Sequence, residues 1–392
     1  MDQQRLLEIL WNVGQFFVHP LFFLTLAAAI ATGYFRVKRE RKDFRTRLVL
    51  GWTEFTSVLK DSWLFGLVIS LVLALVGILF YEEFLLIVSL VAILALVLFQ
   101  FQLLSAAYIL SISVLIWMLV DQWSYSILVG PFTLSAVQFS WNVVWPVAAL
   151  TGLLLIAEGL LLKWQGLQIV SPQLVKTIRG GSAVQYKIKR LWLLPLVLLV
   201  PGEWFSGIAG WWPLVQFGET SFAVLAFPYV TGFQQLSKSV YPFLAIPQRA
   251  KHILILGSSV AVLAVLGIVT YWFGLVALVA AFIGRLVLDI QSYRVQNTGH
   301  YAVAPVSEGI QIAGVLKGSP ADKMGLEIGE KIVKVNGQRV SNEQELYEAI
   351  QINAAHCRLE VLDHNNELRL KQQVIFRHDH HRLGLMIARS VQ

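Results

Sequence analysis

Charge is scarce in this chain. Only 14% of its 392 residues are Asp, Glu, Lys or Arg, against about 25% in an ordinary soluble domain, and the mean hydropathy is +0.65. So much apolar sequence does not fit inside a water-soluble fold, and a large part of the chain is expected in lipid. Cysteine is nearly absent too. Cys357 stands alone, which excludes an internal disulfide and fits a reducing compartment. No Trp follows Trp272, although the chain has 13, and residues 301–392 carry 11 basic against 11 acidic side chains, so the whole net charge of +7 belongs to the first 300 residues. These absences divide the chain into a basic, Trp-rich membrane part and a charge-balanced soluble module of ordinary domain size. The basic n-region and small-residue cleavage site of a secretory signal are also missing.

The usual catalytic patterns are absent as well. An intramembrane zinc protease needs H-E-x-x-H on a helix, and here His19 and His252 stand far apart without acidic neighbours. An intramembrane serine protease needs a Ser with a His partner. Gly257-Ser258-Ser259 lacks one and reads as a small-residue packing site between helices. His378-Asp379-His380-His381 reads as a solvated loop, and no glycine-rich phosphate loop occurs. The expectation is a protein that is not an enzyme, with no metal, cofactor or nucleic-acid partner.

About 20 predominantly apolar residues cross a bilayer as a helix. Such segments read as spans at Phe16–Phe35, Trp63–Tyr81, Phe84–Phe101, Leu103–Val120, Val143–Leu162, Ile253–Trp272 and Gly274–Ile290. Two weaker ones are Leu191–Phe217, interrupted by Pro201-Gly202 and Gly210, and Ser221–Leu236. Ile127–Trp141, broken by Gly130-Pro131, reads as an extracytoplasmic interfacial piece. After the first span, Arg36, Lys38, Arg39, Arg41, Lys42, Arg45 and Arg47 oppose only Glu40 and Asp43. This basic loop is expected in the cytoplasm with the N-terminus outside, and it can attract anionic lipid at about 1 kcal/mol per charge. Lys163–Arg190 carries six basic residues and no acid, so it falls on the same side. Nine spans leave the C-terminal module in the cytoplasm; eight require one weak pair to re-enter. Glu158 and the i,i+4 pair Arg285/Asp289 lie near span ends, where side chains reach the interface. Glu203, beside Pro201-Gly202, is the ionisable residue placed to line a cavity.

The most informative stretch is Ser319–Gly337, SPADKMGLEIGEKIVKVNG. Ser319-Pro320 opens a short helix and Gly325 stops it. Gly329 turns the chain into the alternating strand Lys331–Val335. Asn336-Gly337 then signals a hairpin. Ser341 and Gln344 form a capping box for an amphipathic helix with Leu346, Ala349 and Ile350 on one face. Asn365-Asn366 reads as the turn between the strands Arg358–Asp363 and Glu367–Ile375. This pattern resembles a bacterial PDZ domain over Val306–Ile387, with Glu330 where the family usually has Asp. The resemblance implies capture of peptide C-termini or internal strands by addition to a sheet edge beside a helix. Its carboxylate loop has two candidate places. One is Arg382-Leu383-Gly384-Leu385, with Leu346 and Ile350 on the facing helix. The other is Glu308-Gly309-Ile310, since bacterial modules are often circularly permuted. Leu383 and Leu385 can equally be residues that merely finish the sheet.

The whole chain is also similar to a family. The entry to the first span through FFVHPLFF (16–23), its exit through GYFRVKRERK (33–42), and many spans followed by one PDZ domain resemble the MinJ family. These are polytopic PDZ proteins of bacterial division-site selection. The fold class expected is an α-helical polytopic membrane domain of about 8–9 helices over 1–295, a linker at 296–305, and a small α+β, mostly β, PDZ-like domain over 306–392. The resemblance implies a non-enzymatic adaptor at septa and poles, linking a DivIVA-type protein to a MinD-type division inhibitor. The competing expectation is a membrane sensor or regulator of proteolysis.

Overall fold

The computed structural model describes residues 14–123, 127–129, 132–134, 139–177, 180–206, 212, 221–352, 356–374 and 383–388. Among the described residues, the helices of the membrane part include α1 (Pro20–Phe44), α2 (Thr53–Lys60), α3 (Trp63–Val76), α4 (Glu82–Val97), α5 (Ala106–Trp123), α6 (Val144–Gln165), α7 (Pro242–Leu266) and α8 (Tyr271–Thr298). Among the described residues five helices are long and apolar enough to cross a membrane, α2 and α3 counting together, and Ala106–Gln122 is a shorter apolar one. A small hairpin, β1 (Ile127–Val129) with β2 (Phe132–Leu134), connects α5 to α6.

The two weak spans are not helices. They are the strands β4 (Ser182–Ser206) and β5 (Ser221–Ser237), an antiparallel hairpin that β3 (Ser171–Lys176) widens to three strands at its base. Residues 207–211 and 213–220 lie outside the described residues. Hydropathy reports transfer into an apolar phase, which says nothing of backbone conformation. Pro195, Pro201 and Pro228 were the contrary signal, since proline inside a helix costs about 3 kcal/mol. In the hairpin, Pro195 and Pro228 face each other, and neither has an N–H to leave unpaired.

The hairpin is buried among the helices. Trp192, Leu193, Leu194, Leu196, Leu198, Val200, Tyr229, Val230 and Phe233 belong to the same core as residues from all the long helices. Ten residues of strand extend roughly 33 Å, the thickness of a bilayer core, and β4 is apolar from Leu191 to Val200. An open strand edge at that depth needs hydrogen-bond partners, because buried unpaired backbone groups are costly. α3 supplies them to β4. Ser62 Oγ donates to the Leu193 carbonyl (2.6 Å), Val197 N–H donates to Ser70 Oγ (2.7 Å), and Phe80 N–H, just beyond α3, donates to the Leu199 carbonyl (2.9 Å). Between them Pro195 lies against Gly66, where a Cβ would stand 2.6 Å from the proline carbonyl oxygen.

Buried charge fastens the helices at several points. Glu158 and Arg285, both fully buried, pair at 2.8 Å. Ser105 Oγ donates to Glu158 (2.7 Å) and Tyr108 Oη to Asp289 (2.6 Å). Arg249 binds Asp289 and the Leu288 carbonyl. These residues do not reach the interface as their span-end positions suggested. Glycines bring the helices too close for that: a Cβ on Gly257 would stand 2.8 Å from the Ile156 nitrogen, and one on Gly152 2.7 Å from that of Ala261. Removing one partner of such a buried pair costs about 3–5 kcal/mol. Glu203 is exposed near the end of β4.

The basic loop is likewise corrected. α1 continues to Phe44, so Arg36–Arg41 are its last turns. Arg36 is 4% exposed and donates to Glu54 (2.5 Å), Glu40 (3.1 Å) and the Leu50 carbonyl (2.8 Å). Arg39 binds Ser171 Oγ, while Lys38, Arg41, Lys42, Arg45 and Arg47 stay exposed.

The C-terminal part comprises β6 (Ile310–Val315), α9 (Pro320–Lys323), β7 (Lys331–Val335), β8 (Gln338–Arg339), α10 (Glu343–Ile352), β9 (His356–Leu362), β10 (Leu368–Val374) and β11 (Leu385–Ile387). Its sheet runs β10–β9–β7–β6–β11, with β8 paired to β7. Asn336 and Gly337 both have positive φ (49° and 85°), as a type I′ hairpin turn requires. The helix cap falls one residue later than Ser341-Gln344: Asn342 Oδ1 accepts from Glu345 N–H, and Glu345 Oε2 accepts from Ser341 N–H.

The hairpin register gives a direct test. Val197 and Ala226 are opposite each other, and because Val197 N–H goes to Ser70 the pair is a non-hydrogen-bonded one, whose Cα atoms lie about 4.5 Å apart. On a Cys357→Ser background, Val197→Cys with Ala226→Cys forms a disulfide under mild oxidation. Two helices in place of the strands leave that pair uncrosslinked.

Candidate functional site

β11 is the terminal strand of its sheet and pairs on one side with β6. Gly384 C=O accepts from Leu316 N–H and Ala388 N–H donates to Gln311 C=O. The alternation of a strand then turns the N–H and C=O groups of Leu385 and Ile387 to the other side, away from β6. Strand addition needs such an edge. Side chains divide the same way. Leu383 and Ile387 enter the module's core, with Leu385 half-buried at its margin.

Gly384 sits where only glycine fits. Its φ is +83° and a Cβ would collide with the Ser319 side chain, so both steric reasons for glycine hold at this turn. Gly309 also has positive φ (+82°), but it leads into β6, which lies between β7 and β11 and offers no open edge. Arg382 and the His378–His381 cluster lie outside the described residues. Among the described residues no group of three His, Cys, Asp or Glu side chains could hold a metal ion.

A cleft of about 750 Å³ borders β11, walled by Ile387, Ala388, Ile310, Tyr347, Glu343 and Arg45. Leu346 and Ile350 are each 2% exposed, within the core. Tyr347, which the helix periodicity did not single out, is half-buried and faces the cleft instead. The most apolar positions of the helix form its core face, and the cleft is lined by the adjacent, amphipathic position. Arg45 comes from the end of α1, so the cleft is built by both parts of the chain.

The module is seated on the base of the membrane hairpin. Phe44, Val184, Tyr186, Val303, Ala313 and Met386 form one buried cluster. Tyr186 Oη donates to the Ala313 carbonyl (3.0 Å), and Val184 bridges Val303. Met386, on β11, therefore packs against the membrane part while its neighbours Leu385 and Ile387 face the module. Beside this seat, where His364 packs against Tyr241 and Phe243, the β9–β10 turn is pinned by Asp363. It accepts from Glu367 N–H (2.9 Å) and Asn365 N–H (2.8 Å) and pairs with Arg369 (2.7 Å), which together hold its carboxyl below the usual range.

Residues 311–362 match the family described as PDZ domain. Over its whole length the chain is 34% identical to "Cell division topological determinant MinJ" of Bacillus subtilis (strain 168), across 391 residues and 97% of that protein. The chain belongs to the MinJ family. A second member, "Probable cell division topological determinant MinJ" of Lacticaseibacillus paracasei, is 28% identical over 297 residues, 72% of this chain and 78% of its own length. The MinJ match extends through the buried hairpin and the helices, so the membrane part is as much a family feature as the PDZ domain.

The lone cysteine reports on the integrity of this site. Cys357 is buried in the PDZ core between α10 and the sheet, and burial pushes its thiol up to about 11. At pH 8 it therefore stays protonated as well as shielded. N-ethylmaleimide should leave the folded protein unmodified and label it promptly after denaturation. Rapid alkylation of the native protein would contradict this core.

Proposed function

We propose that the protein is a non-enzymatic membrane adaptor for cell-division site placement, whose PDZ groove holds one partner while the membrane part anchors the complex. The observation that carries this reading is the terminal strand β11, with the backbone of Leu385 and Ile387 turned outward beside the Tyr347 cleft. An extended peptide added there gains backbone hydrogen bonds for affinity and side-chain pockets for selectivity. Gly384 and Leu383 then form the carboxylate loop, with Leu385 as the first groove residue. The named relatives are cell division topological determinants. By that kinship the partners are a polar or septal protein of the DivIVA type and a division inhibitor of the MinD type, and the protein resides at poles and septa.

Tyr347→Ala and Gly384→Val separate the groove from the spans. In full-length protein, Tyr347→Ala should weaken peptide-partner capture about tenfold, the loss of one good interface side chain, with membrane insertion intact. Gly384→Val should abolish capture but also strains the turn, so a Cys357 that still resists alkylation is its folding control. Pull-down from crosslinked membranes and imaging of tagged variants read the outcome. Folded Tyr347→Ala protein that captures both partners like the parent removes the groove from the mechanism.

The same reading places the PDZ domain and the end of α1 in the cytoplasm, because exposed basic residues favour that side. Arg39 and Asp43 bind β3, whose sheet seats the PDZ domain, so the two share one side of the membrane. Arg45→Cys on a Cys357→Ser background should resist an impermeant maleimide in intact cells and react after permeabilisation. Labelling of intact cells would reverse the assignment.

A further inference from the structure

A second cleft, of about 590 Å³, lies away from the peptide groove, between α5, the 3-10 turn Phe101–Leu104, the end of β5 and the last turns of α8. That volume is in the range of small-molecule sites, roughly 300–1,000 Å³. Its walls are largely apolar, and Leu103, Leu286 and Ile290 at its rim are 42%, 42% and 44% exposed. On helices apolar enough to cross a bilayer, such a rim faces hydrocarbon, so the cleft opens sideways to lipid. It lies at the end of the membrane part that carries the PDZ domain, since β5 and α8 both finish there.

The inner end of the cleft is polar and incompletely satisfied. Gln234 Oε1, Gln235 Oε1 and Arg249 Nε are buried without hydrogen-bond partners, and Arg249 is only 6% exposed. The acid in the lining, Asp289, is already held by Arg249, Arg285 and Tyr108. Lys238 adds a cation at the mouth, where its Nζ donates to Asn297 (2.8 Å). The site thus joins a net positive charge and unpaired amide groups to an apolar, lipid-facing trough.

We propose that this cleft binds one anionic phospholipid of the inner leaflet. The phosphate lies between Lys238 and Arg249 Nε, headgroup hydroxyls reach the Gln234 and Gln235 amides, and the acyl chains run over Leu286 and Ile290. A phosphoglycerol headgroup matches both needs, because it brings an anion to the donors and O–H groups to the unpaired amide oxygens. A choline headgroup brings no hydroxyl and adds a cation beside Lys238. A free phosphate in water leaves the apolar trough uncovered. The site also touches the path to the PDZ domain: the Lys238 carbonyl accepts from Ala302 N–H, and Gln296 Oε1 accepts from Lys238 N–H.

Native mass spectrometry of the full-length protein in detergent, titrated separately with phosphatidylglycerol, phosphatidylcholine and glycerophosphoglycerol, tests the proposal. The expected result is one phosphatidylglycerol retained at about tenfold lower concentration than phosphatidylcholine, the size of one or two charge contacts at a membrane surface. Lys238→Gln, at the partly exposed mouth, should erase that preference, and Ile112→Trp, which fills the trough, should weaken retention of both lipids. If Ile112→Trp does not fold, the Lys238→Gln comparison still decides. Equal retention of the two phospholipids, or a preference unchanged in Lys238→Gln, overturns the proposal. Retention of glycerophosphoglycerol as tight as that of the full lipid also overturns it, in favour of a free-anion site.

Discussion

A two-stranded hairpin inside an apolar helical bundle has two edges to satisfy, and along β4 one helix and the residues just beyond it supply partners. Ser62, Ser70 and the backbone of Phe80 pair with Leu193, Val197 and Leu199. Between them, Pro195 has no N–H to pair. Water is unavailable at that depth, so each missing partner would leave a buried backbone group unpaired, at about 1–3 kcal/mol or more. The close approach this needs is set by Gly66, whose lack of a Cβ lets α3 lie directly on the strand. The rest of the architecture follows from that contact. Once β4 is held, its base extends beyond the helices as a three-stranded sheet, and the PDZ domain has a surface to sit on.

The buried ion pairs complete this scaffold. The Glu158–Arg285 and Asp289–Arg249 pairs join α6, α7 and α8, with Ser105 and Tyr108 adding α5 and the turn before it. The charges balance within the cluster, which is the condition for keeping them out of water. Arg36 plays the same part nearer the PDZ domain, where it ties the last turns of α1 to α2 and the connection between them. Tyr186, Val184 and Phe44 hold β11 through Met386, so the position of that strand relative to the membrane part is built in.

Much of the soluble module was legible in the sequence because its signals are local. Ser319 caps a short helix, Gly325 ends it with φ +65°, and Asn336-Gly337 makes the hairpin turn. The turn at Leu383-Gly384 was legible as a glycine position, and Gly384 has a φ of +83°. The cleft wall was not: Leu346 and Ile350 carry the helix periodicity, but that periodicity marks the core, and Tyr347 beside them meets the cleft. In the membrane part, apolar length located the helices and equally located two strands, because burial in lipid selects for apolarity whatever the backbone does.

The sequence by itself determined the division into a membrane part and a PDZ domain, the turn chemistry of that domain and the basic end of α1. Each depends on composition or on neighbours a few residues apart. Only the tertiary structure decided that β4 and β5 are strands, that Arg36 is buried while Arg45 lines a cleft, and that Glu158 and Arg285 neutralise each other. The partners in these cases are remote: Ser62 and Leu193 are 131 residues apart, Ser70 and Val197 127, and Arg249 and Asp289 40. A strand edge or a buried charge is stable only when its complement is present, and no local pattern states where along the chain that complement will come from.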